Sequence, residues 1–303
     1  MKLRSFPKNI FYLWTALSAF VVTGSLVILT KHPKEIRKQN IPQKYLSFSD
    51  LPMLSGNTPE PIMSAEAALA VDITSGEVLF EKSPDEPLLP ASTTKIITAL
   101  VAMDYYSDDM ILQVGKIKIE GQKMGLLEGE RIRVRDLLDG LLIYSANDAA
   151  EVLAQNFPGG RDFFIYSMNL KARQLHLDNS SFNNPVGLDD DGQMMSARDL
   201  VKASNFAIKN SEFASIVATK EKTVKSVDGK IAHKLVNLNK LVKDVEGVLG
   251  VKTGWTENAK ENLVTYIDRN NKKVMIALLG SEDRFSETKQ LINWIFSNYQ
   301  WGQ

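Results

Sequence analysis

The chain has 303 residues, of which 44% are hydrophobic and 24% charged, with 36 basic and 36 acidic side chains. That length can bury a substantial core and lies near the upper end for a single domain. Balanced charge offers no field to a polyanion and excludes electrostatically driven nucleic-acid binding, while the absence of cysteine excludes disulfides, thiolate metal sites and a cysteine nucleophile.

In chain order, Lys2, Arg4 and Lys8 precede an uncharged apolar stretch from Ile10 to Thr30, and Lys31, Lys34, Arg37 and Lys38 follow it. At about 1.5 Å per residue a helix of that length crosses a hydrocarbon core. A retained signal anchor over residues 10–30 is therefore expected, with residues 1–9 cytoplasmic. A cleaved signal peptide is the alternative, and Thr23-Gly24-Ser25 makes a poor cleavage site for it. Positive charge on both flanks leaves the orientation to the chemistry downstream. Residues 31–64 carry five prolines with little hydrophobic periodicity and read as a tether. The catalytic domain is expected over residues 65–303.

The domain opens with a hairpin signature, Ala67–Asp72 and Glu77–Lys82 around Thr74-Ser-Gly76. Ser92 to Tyr105 has helical spacing of Ile96, Ile97, Ala99, Leu100 and Met103, with the serine at an N-cap or first-turn position. Residues 134–210 read as several helices broken at Pro158-Gly-Gly160 and Asn183-Asn-Pro185. A second hairpin spans Thr223–Lys234 around Asp228-Gly229. Strands are expected at Val248–Lys252, Asn262–Ile267 and Lys273–Leu279, and a closing amphipathic helix from Phe285 to Tyr299. Strands at both ends with helices between predict an α/β sandwich: an antiparallel sheet flanked by helices, carrying a mainly helical subdomain.

Several hydrolase chemistries lack their residues. There is no Gly-x-Ser-x-Gly, no His-Glu-x-x-His, and only three scattered histidines, His32, His176 and His233; a histidine triad would have to use one of the last two, and each reads as a surface or partly packed residue. No metal or cofactor is called for. Ser92-Thr-Thr-Lys95 supplies another route to an activated hydroxyl, because residues three apart on a helix share a face and the amine can reach the serine oxygen. Taken alone it is weak: Ser5–Lys8 and Ser286–Lys289 have the same spacing, and Ser-x-Asn occurs four times, at Ser55, Ser145, Ser167 and Ser181. Order separates the copies. Ser92-x-x-Lys95, Ser145-Ala-Asn147 and the single Lys252-Thr-Gly254 form the ordered trio of β-lactamases and penicillin-binding proteins.

On these residues the chain resembles the low-molecular-mass penicillin-binding D-alanyl-D-alanine carboxypeptidases. Ala70–Leu79, Pro90–Lys95, Ser145–Ala150, Asn184-Pro-Val-Gly-Leu188, Ser196–Leu200 and Gly250–Gly254 carry the likeness over residues 65–300. Ala146 stands where the family often has glycine, and Trp255 where histidine is common. The chain closes on the last helix of the catalytic domain, so the N-terminal anchor is expected to replace the C-terminal one of many relatives.

The resemblance implies a β-lactamase-like transpeptidase fold and a membrane-bound, extracytoplasmic enzyme acting on peptidoglycan stem peptides, with β-lactams as covalent inhibitors. Ser92 would be the nucleophile, Lys95 its base and Ser145 a proton relay, with backbone N–H groups of Ser92 and Trp255 as oxyanion hole. Asn147, Lys252, Thr253 and Gly254 would bind substrate, and Arg284 would grip the terminal carboxylate. A lysine base must be neutral part of the time, and burial with the field of Lys252 would lower the Lys95 pKa. The rivals are a D,D-endopeptidase, a non-catalytic penicillin-binding sensor and a β-lactamase. The last lacks its glutamate, because none of Glu151, Glu212, Glu221 and Glu246 has asparagine four residues on.

Overall fold

A computed structural model describes residues 51–302. The expected anchor at 10–30 and most of the tether lie outside the described residues; among those described, no helix is long and apolar enough to cross a membrane.

The described chain begins with a short strand, β1 (Met53–Leu54), then runs to β2 (Ala67–Asp72) and β3 (Val78–Lys82). The turn between β2 and β3 forms where it is expected. Asp72 accepts the N–H groups of Thr74 and Ser75 on one carboxylate oxygen, at 3.1 and 2.8 Å, and Gly76 takes the left-handed φ of +83° that closes the reversal. A 3₁₀ turn, Ala91–Thr94, leads into helix α1 (Lys95–Tyr105). Two short strands the sequence pattern did not suggest, β4 (Ile111–Gln113) and β5 (Arg131–Arg133), bracket a long excursion of chain. Helices α2 (Val134–Ile143), α3 (Asn147–Gln155), α4 (Gly160–Gln174), α5 (Ala197–Ala207) and α6 (Ser211–Ala218) complete a helical lobe. The hairpin β6 (Glu221–Lys225) and β7 (Ala232–Val236) and the one-turn α7 (Leu241–Asp244) precede β8 (Val248–Thr256), β9 (Lys260–Arg269) and β10 (Lys272–Ser281). Helix α8 (Arg284–Asn298) and β11 (Tyr299–Gln300) close the chain.

Five strands form one antiparallel sheet in the order β3-β2-β10-β9-β8, so the first and last parts of the chain meet at its centre and β8 is an edge. The apolar run of β10 splits by strand alternation. Val274, Ile276 and Leu278 face α8 and pack with Leu291, Ile292 and Ile295, while Met275, Ala277 and Leu279 face the core shared with the helical lobe. A strand covered on both faces has no solvent side, which is why this run shows no polar alternation.

Residues 53–64 differ from the tether expected there. Strand β1 pairs with β11, Trp294 Nε1 donates to the Thr58 carbonyl at 3.0 Å, and Lys82 Nζ donates to the Met63 carbonyl at 2.9 Å. The folded body thus includes residues 53–64. Proline and polar residues suppress periodicity but leave backbone groups free to pair with a finished helix.

Candidate active site

The nucleophile candidate sits just ahead of α1. Ala91 adopts φ +46°, a conformation L-residues resist, and so swings the chain into the 3₁₀ turn that carries Ser92; Thr93 Oγ1 ties the turn back to the Pro90 carbonyl at 2.6 Å. Ser92 is therefore not the N-cap of α1, a place held by Thr94, because the strained turn inserts one tighter winding first. Lys95 opens α1 with its amine 2.9 Å from Ser92 Oγ and 2.6 Å from the Val186 carbonyl. The amine therefore points at one hydroxyl and one fixed acceptor.

The opposite wall comes from the helical lobe and the sheet edge. Ser145 lies between α2 and α3 at φ +60°, buried, and Lys252 Nζ on β8 approaches its Oγ to 2.8 Å and the Thr253 carbonyl to 2.9 Å. Gly254 brings β8 against the Ser92 turn: a Cβ there would sit 3.0 Å from the Pro90 carbonyl and 3.1 Å from the Ser92 nitrogen. The close approach anticipated for substrate at Gly254 is thus already made by the protein itself. Arg284, the first residue of α8, donates from Nη1 to the Gly254 carbonyl at 2.6 Å, while its Nε, 3.9 Å from Glu261, has no hydrogen-bond partner.

Burial sets the electrostatics. Lys95 is 0% exposed and Lys252 2%. Desolvation, and after it the charge of Lys252, push the Lys95 pKa well below an ordinary lysine, against a smaller opposing pull from Asp148. Desolvation, then the charge of Arg284, bring Lys252 down to about 7. Three basic groups thus gather beside one cleft; of the neighbouring carboxylates, Asp148 accepts four backbone N–H groups and Glu261 the Arg284 amide, while Glu120 and Glu257 belong to the lining itself.

A cavity of about 600 Å³ lies in front of the two lysines and is lined in part by Arg284. Ser92, Ser145, Asn147, Thr253, Gly254, Trp255 and Arg284 all line it. Trp255 is 62% exposed. Asn147 donates from Nδ2 to the Glu120 carbonyl at 2.6 Å and leaves its buried Oδ1 without a partner. Among the sequence candidates, only the lysine side chains withdraw behind the lining, where each reaches its serine.

The sequence reading missed the parts that brace the cleft. Asn184 Oδ1 accepts the N–H groups of Val186, Gly187 and Leu188, and so presents the Val186 carbonyl to Lys95. Gly187, at φ +84°, leaves no room for a Cβ beside the Ala91 carbonyl. Asp148 accepts from Met124, Gly125 and Leu126 and fixes the segment that lines the far wall. Asn-Pro-x-Gly is a turn signal and Asp148 directly follows Asn147, so both were in view, but their partners lie far off in sequence. His233 was read as a surface or partly packed residue; it is buried at 4% exposure, because strand alternation on β7 turns it inward.

Comparisons with known proteins point to one family. A family model described as D-alanyl-D-alanine carboxypeptidase matches residues 55–283. The chain is 32% identical to the D-alanyl-D-alanine carboxypeptidase DacF of Bacillus subtilis over 80% of its own length and 65% of that protein's. It is also 32% identical to DacB2 of Mycobacterium tuberculosis, over 80% of this chain and 86% of that one. The Streptomyces K15 DD-transpeptidase superposes with a TM-score of 0.75 at 31% identity, covering 79% of this chain and all of the other.

Proposed function

The chain belongs to the D-alanyl-D-alanine carboxypeptidase family, and from that premise we propose that it removes the terminal D-alanine from peptidoglycan stem peptides through an acyl-Ser92 intermediate. The observation that carries this reading is the pair of buried amines, each within 3 Å of a serine hydroxyl on one cleft: Lys95 with Ser92 at 2.9 Å and Lys252 with Ser145 at 2.8 Å.

The steps follow from the geometry. Neutral Lys95 accepts the Ser92 proton as Oγ attacks the carbonyl between two D-alanines; its own N–H remains on the Val186 carbonyl. Negative charge develops on the carbonyl oxygen against the backbone N–H groups of Ser92 and Trp255, a role that needs only main chain and so tolerates the unusual tryptophan. Ser145 passes its hydroxyl proton to the departing amine and regains one from protonated Lys252, 2.8 Å away. Water then adds to the acyl carbonyl and gives a proton back to Lys252 through Ser145, while Lys95 returns the first proton to the departing Ser92 Oγ. The peptide adds along the free edge of β8, Asn147 Oδ1 accepts from its amide N–H, and Thr253 with Arg284 receives the terminal carboxylate. A β-lactam meets the same serine and forms a stable ester.

Steady-state release of D-alanine from a diacylated D-Ala-D-Ala peptide, with one equivalent of labelled penicillin on Ser92, tests the proposal. Labelling without sustained release would leave a sensor, and labelling at another serine would end the assignment.

The same reading puts residues 10–30 in the cytoplasmic membrane with the domain outside, because the polymer lies there. Cells stripped of wall should lose the domain to an external protease. A mature protein lacking its first about 25 residues would instead establish a cleaved signal peptide.

A further inference from the structure

His233 and Glu130 form a buried pair away from the catalytic groups. The ring Nδ1 lies 3.0 Å from the Met124 carbonyl and Nε2 lies 2.8 Å from Glu130 Oε1. Glu130 Oε2 also accepts the Leu127 N–H at 3.1 Å. A carbonyl and an ionised carboxylate can only accept, whereas a neutral imidazole has one N–H to give. The arrangement is complete only when the pair holds one proton more than neutral histidine plus carboxylate. In either placement of that proton, Nδ1–H faces Met124.

Met124 is also gripped from the other side. Its N–H and those of Gly125 and Leu126 go to the Asp148 carboxylate, one residue after Asn147. Just upstream, Glu120, Gly121 and Gln122 line the cavity, and Asn147 is bonded to that stretch twice, N–H to the Gln122 carbonyl at 2.7 Å and Nδ2 to the Glu120 carbonyl. The Glu120 bond fixes which end of the Asn147 amide turns inward and leaves Oδ1 free. A brace on Met124 is thereby a brace on Asn147.

We propose that His233 and Glu130 are positioning residues that, by sharing one proton, lock the 120–130 segment and set the direction in which Asn147 presents its oxygen to the peptide. This rests on the peptidase reading for its kinetic consequence, though not for its structural one.

Three variants of the full-length chain test it. In Glu130→Gln the new amide can donate to a neutral Nε2 and still accept from Leu127, leaving Nδ1–H on Met124. Hydrogen exchange over residues 120–130 and the rate of Ser92 acylation should both stay within about twofold of wild type. His233→Gln can still reach Glu130 but has no donor for Met124, and Glu130→Ala loses the proton partner. Both should exchange faster over 120–130 and lose roughly tenfold to a hundredfold in kcat/KM for the peptide, as expected of a displaced binding group. The proposal is overturned if Glu130→Gln is as impaired as Glu130→Ala. It is equally overturned if His233→Gln lowers only the thermal midpoint while exchange over 120–130 and kcat/KM stay at wild-type values. Should the wild-type chain release no D-alanine, the proposed function fails, and exchange over 120–130 still decides this inference.

Discussion

Ser92 and Lys95 stand three positions apart in one winding of chain, whereas Ser145 and Lys252 come from a loop before a helix and from a sheet edge, 107 positions apart. The distances are nearly equal, 2.9 and 2.8 Å, yet the means are opposite. The first pair needs a turn and a helix start; the second needs the helical lobe seated on the sheet. Both walls also carry a residue in the left-handed region, Ala91 beside Ser92 and Ser145 itself, each storing about 1–3 kcal/mol that surrounding packing must hold. On the proposed mechanism the near pair reacts, and the far pair, which depends on assembly of lobe and sheet, is the sensitive reporter of lobe–sheet packing.

Deleting one serine from each pair breaks the comparison most sharply. Ser92→Ala should abolish D-alanine release and penicillin labelling together, since both need the same ester. Ser145→Ala should slow acylation by about 10²–10⁴-fold, the range of a lost proton-transfer group, while labelled penicillin still lands on Ser92. Complete loss of labelling in Ser145→Ala would erase the distinction between the pairs. Ser286→Ala, on the half-buried Ser-x-x-Lys spacing of α8, should change neither activity.

Arg284 sharpens the far side of the cleft. Arg284→Ala should cost roughly tenfold to a hundredfold in kcat/KM on peptides with a free terminal carboxylate, and much less on amidated ones, because a charge-assisted contact exists only with the former. Equal losses on both would give Arg284 a structural role and favour an endopeptidase.

The lysines distinguish the pairs by pH. Lys95 must be neutral to act, so kcat/KM should rise as pH climbs through its depressed pKa. Lys252→Met removes a charge that lowers that pKa, and the rising limb should move to higher pH. For stability the sign follows from depressed folded-state values. Lys252 titrates near 7 when folded and near 10.4 when unfolded, so below pH 10 the unfolded chain takes up the proton first. Stability should fall as pH drops from about 10 to about 7, by at most about 1.4 kcal/mol per unit for this group, and denaturant titrations of Lys252→Met should show a shallower slope. Buried Tyr106, with a pKa raised mainly by desolvation, works the other way only above the ordinary tyrosine range.

The smallest effect concerns the boundary both pairs share. A chain starting at Ser64 loses the bonds of Thr58 to Trp294 and Asn298 and the β1–β11 pairing, and should unfold about 2–3 kcal/mol more easily than one starting at Leu51. D-alanine release per folded molecule should be equal in the two.

What the linear chain determined on its own is everything set by short spacings. A three-residue interval fixed Ser92 against Lys95, the Asp72–Gly76 turn chemistry fixed the first hairpin, and the apolar run of Lys273–Leu279 marked a strand, whose cover on both faces only the fold revealed. The order of three short motifs then supplied the family resemblance, including Ser145 and Lys252 as members of one site. Tertiary structure decided the rest. It sealed both lysines from water, which no local pattern can specify, since a lysine on a helix reads as solvent-facing until the neighbouring elements close over it. It drew residues 53–64 onto α8, turned His233 inward, and assigned Asp148 and Asn184 their backbone partners. Those partners are single N–H and C=O groups far off in sequence, and every residue carries such groups alike. Sequence can name the side chain that needs them, but only the folded chain selects which ones arrive.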